Sequence, residues 1–406
     1  MSVQCCIAGG GPAGMMLGLL LARAGVRVAV LEKHRDFLRD FRGDTIHPST
    51  LELMHELGYL DEFLALPHQR VPEIEARIGD TALRVADFTH LPVRAPFIAL
   101  MPQWDFLDFL ADKAAAFPGF SLLMEAQVQD LLFRDGHVAG VRATTPQGPV
   151  EVKSTLVVGA DGRHSTVREK AGLPVRDLGA PIDVLWFRLS RQAGDPEATM
   201  GRFDRGRIVI MLNRGDYWQC AFVIGKGSAD ALRAGGLDAF RALLASGLPL
   251  PGDRVSELAT WDDVKLLTVQ VNRLTTWYRE GLLCIGDAAH AMSPVGGVGI
   301  NLALQDAVAA ANLLWQPLRQ GTIHTDHLRK VQARREFPTR ATQRFQVLVQ
   351  RFILQRVLGE NPGEKTSLSP PLAARLLGRY GLLRRVPARM IGLGIRPEHI
   401  ASPVAS

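Results

Sequence analysis

The chain has 406 residues, 47 basic against 41 acidic for a formal charge of +6, and is 47% apolar and 22% charged. That is an ordinary globular composition, and it excludes disorder, collagen and coiled coil. At ~150 residues per domain the length allows two to three domains, each able to bury a core without staples.

Four cysteines occur, Cys5, Cys6, Cys220 and Cys284, and their spacing forms neither a CxxC pair nor a disulfide framework. No cluster of His and Cys has zinc-ligand spacing, so no metal and a reducing, cytoplasmic compartment are expected. The apolar run at 15–22 is too short to cross a bilayer and follows a glycine loop instead of a basic leader, so it is not read as a signal peptide. Residues 340–396 hold eleven Lys or Arg and two Glu, net +9, which leaves the remainder at −3. The basicity therefore belongs to the tail, not to the body.

In chain order, residues 3–8 (VQCCIA) and 26–31 (VRVAVL) are compact apolar runs of the kind found in parallel strands buried on both faces. Between them Ala13, Met16, Leu17, Leu20, Leu21 and Ala24 fall at helical spacing, giving an opening β-α-β unit. A helix over 49–64, interrupted at Gly58, and an amphipathic helix over 103–116 follow. Short strands are expected at 119–125, 129–134, 137–143 and 150–158, with turns at Asp135-Gly136 and Gln147-Gly148.

From 181 to 273 the texture shifts to strands carrying Trp and Phe, at 182–189, 207–213, 217–224 and 264–271, with Asn213-Arg214-Gly215-Asp216 as a hairpin turn. Residues 281–285 return to buried-strand character, and a glycine-rich loop then feeds a long helix from about Asn301. The tail from 346 reads as helical, broken at Asn361-Pro362-Gly363 and Pro370-Pro371.

Gly9, Gly11 and Gly14 spell GxGxxG directly after the first strand and before the first helix, with Pro12 and Ala13 inside the motif. The first glycine permits the tight turn, the second lets a pyrophosphate approach the backbone, and the third lets helix and strand pack closely. Glu32, with Lys33 beside it, ends the second strand 18 residues after Gly14, where a carboxylate can accept hydrogen bonds from ribose hydroxyls. An adenine dinucleotide is expected, NAD or FAD.

Two further loops bear on that choice. In 281–306 (GLLCIGDAAHAMSPVGGVGINLALQD) a strand ends in Gly286-Asp287, and a loop with Pro294, Gly296, Gly297 and Gly299 opens a helix whose N–H groups suit a group developing negative charge, such as a reduced flavin. In 156–168 (LVVGADGRHSTVR) another buried strand ends in Asp161-Gly162.

Taken together the three segments resemble the class A flavoprotein monooxygenases, the aromatic hydroxylases typified by p-hydroxybenzoate hydroxylase. The matching residues are Gly9-Gly10-Gly11-Pro12-Ala13-Gly14, then Gly159-Ala160-Asp161-Gly162 with Ser165 and Arg168, then Gly286-Asp287-Ala288-Ala289-His290 with Pro294 and Gly299, spanning 5–306, about three quarters of the chain. The resemblance implies a mixed α/β fold: a Rossmann-like FAD-binding domain (1–65, 99–180 and 274–345), an inserted sheet-based substrate domain (66–98 and 181–273) and a helical C-terminal segment (346–406).

It also implies that Glu32 binds the adenosine ribose, Asp287 the ribityl or pyrophosphate region, and Arg42 and Gln103 the cofactor. Gly296, Gly297, Gly299, Ile300 and Asn301 would lie along the flavin edge, with Pro294 near the reactive carbon. Asp161-Gly162 is implicated in the transient visit of NAD(P)H. The implied chemistry is reduction of FAD by NAD(P)H, reaction with O2 to a C4a-hydroperoxide and hydroxylation of an electron-rich aromatic small molecule.

Trp186, Trp218 and Phe222 are candidates for pocket wall, although core is the commoner place for such residues. No catalytic base is named, and His290 and His164 are read as structural. A halogenase would be expected to carry WxWxIP, which is not in the sequence. A membrane-associated reductase or epoxidase of prenyl lipids, and a non-catalytic flavin-binding protein, stay as alternatives. The Arg-rich stretch 376–396 is expected to pack on the body with its arginines in water rather than on a membrane. No nucleic-acid reader is present in the pattern.

Overall fold

The computed structural model describes residues 1–38, 45–196, 199–204, 206–353, 357 and 368–405. Strand β1 (Ser2–Ala8), helix α1 (Pro12–Arg23) and strand β2 (Val28–Leu31) form the expected opening unit. β1 lies at the centre of a parallel array, with β2 and then Phe120–Leu123 on one side, and Gly148–Gly159 and then Leu282–Cys284 on the other. Residues Cys5, Cys6, Ile7 and Ala8 are fully buried, as both-face burial demands. Gln127–Arg134 and His137–Thr145 extend this sheet as an antiparallel meander. α1 packs between the helices Gln103–Ala115 and Gly299–Gln320. The latter is long and apolar, and most of its residues are buried inside the protein, so it serves as a core helix.

A second, seven-stranded sheet runs Lys265–Leu267, Ile182–Ser190, Tyr217–Gly225, Arg207–Asn213, Met200–Asp204, Glu73–Ile78, Thr81–Asp87. Segments far apart in sequence meet in it through the parallel pairing of Met200–Asp204 with Glu73–Ile78. The hairpin at Asn213–Tyr217 forms as expected, Gly215 taking φ +91° and donating its amide to Asn213 Oδ1 at 2.9 Å.

One strand expectation needs correction. The strand expected over 264–271 stops at Leu267, and Asn272–Leu274 pairs instead with Val175–Asp177. The chain leaves the sheet because side chains satisfy the Val269 backbone: Asp183 accepts from its amide at 2.9 Å and Lys226 donates to its carbonyl at 2.6 Å. The 49–64 helix is interrupted at Gly58 as expected, giving α2 (Pro48–Glu56) and Leu60–Leu64 on either side of a residue with φ +77°. The long helix expected from about Asn301 opens at Gly299.

Of the tail, 346–353 completes the helix Thr325–Ile353, and Leu372–Arg379 and Gly381–Gly392 are separate helices after Pro370-Pro371. The break at Asn361-Pro362-Gly363 lies outside the described residues. The final stretch is stitched to α1 and the helix Gly299–Gln320: Ala405 N donates to Arg23 O at 2.8 Å, Arg23 Nη1 to Ser402 O at 2.9 Å, and Asn312 Oδ1 accepts from Ala401 and Ser402.

Candidate functional site: a dinucleotide cradle

The turn between β1 and α1 is built by contact. A Cβ on Gly9, whose φ is +104°, would lie 2.4 Å from Ala160 O, and one on Gly14 would lie 1.9 Å from Gly9 O. Both positions are closed to any side chain. At Gly11 the same test meets nothing within 4 Å, so the one glycine facing open space is the one a pyrophosphate would approach. Pro12 opens α1 where no N–H partner is needed, and Ala13 is buried behind it. Glu32, 8% exposed at the end of β2, accepts from the amides of Gly10 at 2.9 Å and His34 at 3.1 Å, which aims its carboxylate over the glycine turn. Lys33 is exposed beside it. Arg42 lies outside the described residues.

The third glycine loop comes to the same place. A Cβ on Gly286 (φ +58°) would sit 3.3 Å from Ala13 Cβ and 3.2 Å from Ala303 Cβ, so this residue wedges between the start of α1 and the helix Gly299–Gln320. Asp287, half-buried, occupies the short turn Gly286–Ala288 next to the α1 N-terminus. Behind the turn lies an ionic network that sequence reading missed. Asp306 is fully buried and accepts from Gly286 N at 3.1 Å, His290 Nε2 at 2.6 Å and Arg335 Nε at 3.0 Å. Arg335 reaches on to Glu398 at 3.1 Å, which also holds Arg334 at 2.7 Å. Burial pushes the Asp306 carboxyl up, but His290 and Arg335 outweigh it and hold the group below its ordinary value. An aspartate inside the apolar run GINLALQDAVAAA is the signal that would have revealed it.

The loop from Ala291 to Gly297 is pinned from beneath by three glutamines of Thr325–Ile353. Gln343 Nε2 donates to the carbonyls of Asn272 and Ala291 at 2.8 and 3.1 Å. Gln346 Nε2 donates to Ser293 O and Val295 O at 3.0 and 2.9 Å and its Oε1 accepts from Ser293 N at 3.2 Å, while Gln350 donates to Ser293 Oγ. Their spacing, i, i+3, i+7, places them on one helix face, a pattern readable in advance had a polar stripe been considered as buried. Pro294 precedes the short turn Val295–Gly297. A Cβ on Gly297 would strike Thr45 Oγ1 at 2.7 Å and come 3.4 Å from His47 Nε2. Gly299 and Ile300 open the long helix, and Asn301 is locked there by Ser49 Oγ and Thr50 Oγ1, which donate to its Oδ1 at 2.9 and 2.8 Å. His47 opens α2 at 1% exposure, with Nδ1 2.8 Å from Ile391 O.

The second fingerprint touches the first through the Gly9–Ala160 approach. Asp161 accepts from Ser165 Oγ at 2.5 Å and Val167 N at 3.1 Å, so both carboxylate oxygens organise the start of the helix Thr166–Lys170. Burial raises its pKa despite those bonds. Arg168 then bridges to the third fingerprint, donating to Arg163 O at 2.7 Å and Ala288 O at 3.3 Å. Gln103 stands half-buried at the start of Gln103–Ala115.

The aromatic candidates divide. Trp218 and Phe222 are 0% and 3% exposed on the sheet face covered by Ala229–Ala234 and Leu237–Ala245, with Phe222 edge-on to Phe240 at 5.7 Å and Trp218 Nε1 bonded to Asp195 at 3.1 Å. They are core, and their reading as pocket wall is corrected. Trp186 points to the opposite face, half-buried with Phe203 and Ile210. The four cysteines are buried and unbridged, burial pushing Cys6 up to about 12, so none is a poised nucleophile. Among the described residues no group of His, Cys, Asp and Glu could hold a metal.

These contacts suit a dinucleotide: a closed turn open only at Gly11, a carboxylate over it, and a helix N-terminus beside it. Residues 2–345 match the family described as FAD binding domain. The chain is 33% identical over 389 residues to the 6-methylpretetramide 4-monooxygenase of Streptomyces rimosus, covering 95% of this chain and 91% of that protein. It is 30% identical to a 12-dehydrotetracycline 5-monooxygenase/anhydrotetracycline 6-monooxygenase of the same species, over 76% of this chain but 61% of that longer protein. The crystal structure of p-nitrophenol 4-monooxygenase PnpA from Pseudomonas putida superposes with a TM-score of 0.75 at 20% identity, covering 95% of this chain and 97% of that one. A family match over most of the length, on a backbone shaped for the cofactor, places this chain among the FAD-dependent monooxygenases of the aromatic-hydroxylase class.

Proposed function

We propose that the enzyme hydroxylates a ring carbon of a fused-ring phenol of the aromatic polyketide kind, taking electrons from NAD(P)H and the oxygen atom from O2. The observation that carries this reading is the 33% identity with a 6-methylpretetramide 4-monooxygenase, sustained across 95% of this chain. A second support is the half-buried apolar group of Trp186, Phe203 and Ile210 on the sheet face opposite Trp218, a surface suited to an aromatic substrate.

Bound FAD supplies the oxygen activation and transfer. In this reading Gly9, Gly11, Pro12, Ala13 and Gly14 receive the pyrophosphate at the α1 N-terminus, Glu32 takes the ribose hydroxyls, and Asp287 the ribityl side. Gln103 and Asp161 flank the cofactor. Pro294, Gly297, Gly299, Ile300 and Asn301 border the ring, where the N-terminus of Gly299–Gln320 opposes developing negative charge with its amides and dipole. Gln343, Gln346 and Asp306 hold the backbone at Ala291, Ser293, Val295 and Gly286 that leads into this helix. The buried, unbridged cysteines suit the cytoplasm.

The test is a screen of monocyclic and fused-ring phenols for stimulated NAD(P)H consumption by the FAD-loaded enzyme, with product and peroxide measured together. Fused-ring phenols should speed consumption and gain one oxygen atom. Stimulation confined to monocyclic phenols, or consumption ending wholly in peroxide, would overturn the substrate assignment.

A further inference from the structure

The helices Leu372–Arg379 and Gly381–Gly392 have two faces of different chemistry. On the sheltered side the first rests on strand Thr81–Asp87, a Cβ on Gly378 falling 2.7 Å from Leu83 Cδ2. Ala388 and Gly392 of the second are buried against Phe88 and Leu91. Arg384 ties the two together, donating to Leu377 O at 2.8 Å and Gly378 O at 2.7 Å.

The outer side is unlike an ordinary solvated surface. Leu372 is 73% exposed, Leu382 71% and Val386 61%, and Leu376, Tyr380 and Leu383 are exposed with them. Among them stand Arg375, Arg379, Arg385 and Arg389, all exposed, and residues 372–392 contain no Asp or Glu. A cleft of about 500 Å³ between the helices and strand Thr81–Asp87 is lined by Arg84, Arg375, Arg379 and Arg384. The nearby acids are already engaged: Glu73 and Glu75 pair with Arg84 at 3.1 and 3.7 Å, and Asp87 lies opposite Arg384 and His90.

We propose that this outer face docks on an anionic phospholipid surface, with the leucines and Val386 in the interface and the arginines on the phosphates. Exposed aliphatic side chains alternating with arginine on short helices are what an interfacial segment requires, since the one supplies burial and the other attraction to negative headgroups. A second copy of the chain fits poorly: a two-fold contact would set one arginine row against the other. A nucleic acid fits poorly as well, since the apolar positions are aliphatic and offer bases little to stack on. The proposal is independent of the substrate assignment above.

The test is co-sedimentation of the full-length, FAD-loaded protein with phosphatidylglycerol or phosphatidylcholine vesicles at low and high salt. Two surface variants accompany it, Leu382→Ser with Val386→Ser, and Arg375→Gln with Arg379→Gln, each checked for unchanged flavin spectrum and thermal midpoint. Phosphatidylglycerol should pellet the protein and phosphatidylcholine should not. Each arginine removed should weaken binding by about fivefold, and the apolar variant should lose whatever binding survives high salt. Protein that stays in solution with phosphatidylglycerol, or pellets equally with both lipids, or pellets undiminished in either variant, would overturn the proposal. So would a dimer in lipid-free ultracentrifugation that the Leu382→Ser and Val386→Ser variant abolishes.

Discussion

Acid should weaken this fold through one histidine. His47 is 1% exposed, and its Nδ1 faces Ile391 O at 2.8 Å. Burial therefore pushes the imidazole down from 6.5 to about 4, and the carbonyls of Ile391 and Gly297 offset this only in part. In the unfolded chain the ring recovers its ordinary affinity for a proton. Between pH 6.5 and 4 the unfolded state binds a proton that the folded state refuses, so stability rises with pH across that window and falls on acidification. A displacement of about two and a half units at ~1.36 kcal/mol each corresponds to about 3 kcal/mol, lost in full only below pH 4.

The perturbation is His47→Asn, which keeps a polar residue at the α2 N-terminus but has no proton to gain. Urea unfolding of the apo-protein, followed by tryptophan fluorescence, should find the variant less stable than the parent near neutrality because ring packing is lost. The gap should shrink by about 2–3 kcal/mol as the pH is brought to about 4.5. Asp161, whose raised carboxyl works in the opposite sense, is common to both proteins and cancels from the comparison. Parallel stability profiles for the two proteins across this range would refute the reasoning.

Four other outcomes are expected. Gly11→Ala should fold normally and lose FAD affinity, whereas Gly14→Ala, with its Cβ 1.9 Å from Gly9 O, should disturb the fold itself; far-ultraviolet circular dichroism and FAD titration separate the two. Glu32→Gln should weaken FAD binding about tenfold or more, the scale of a hydrogen bond to a charged group, as read by flavin fluorescence quenching. Asp306→Asn removes one of the two carboxylates that face the buried Arg335, leaving it Glu398 alone, and should cost about 3 kcal/mol together with flavin retention. The parent's share from that carboxylate, held below its ordinary value, vanishes only as the pH drops through its folded pKa, below the His47 window. Gln346→Leu leaves Ser293 N, Ser293 O and Val295 O without a side-chain partner, at about 1–3 kcal/mol for each group left unsatisfied, and should raise the share of NAD(P)H lost as peroxide.

What could be read from the residues was what local geometry dictates. Gly9 and Gly14 are there because backbone passes within 2.4 Å and 1.9 Å of where their side chains would be, and Glu32 closes a strand whose both-face burial is written in VRVAVL. The parallel pairing of Met200–Asp204 with Glu73–Ile78 was not readable, because each segment has its local partner on the other edge, Arg207–Asn213 and Thr81–Asp87, and no local pattern says which distant strand takes the remaining edge. The two sides of Ile182–Ser190 and Tyr217–Gly225 alternate visibly, yet both are apolar. Only the docking of Phe240 and Leu244 from Leu237–Ala245 decides that Trp218 and Phe222 face the core and Trp186 does not.

The hidden part of the site follows from a constraint on its loops. A loop that presents its amides outward to an anionic ring cannot also pair its polar groups in a regular ladder, so its inward carbonyls and amides need partners from elsewhere. Thr325–Ile353 answers with a buried face of Arg335, Thr339, Gln343, Gln346 and Gln350, a stripe that a hydrophobicity rule assigns to solvent. Gln332 repeats the device on Trp277 N and Thr275 O, at 2.9 and 3.1 Å, while Asp306 serves Gly286 N from the neighbouring helix. Glutamine suits the task since its reach spans the gap between a helix and a loop, and its amide both donates and accepts. The polar stripe is thus the counterpart of the glycine loop, and the two meet a single requirement, an irregular backbone held rigid, which in the proposed reading would keep the amides at the start of Gly299–Gln320 turned toward the flavin.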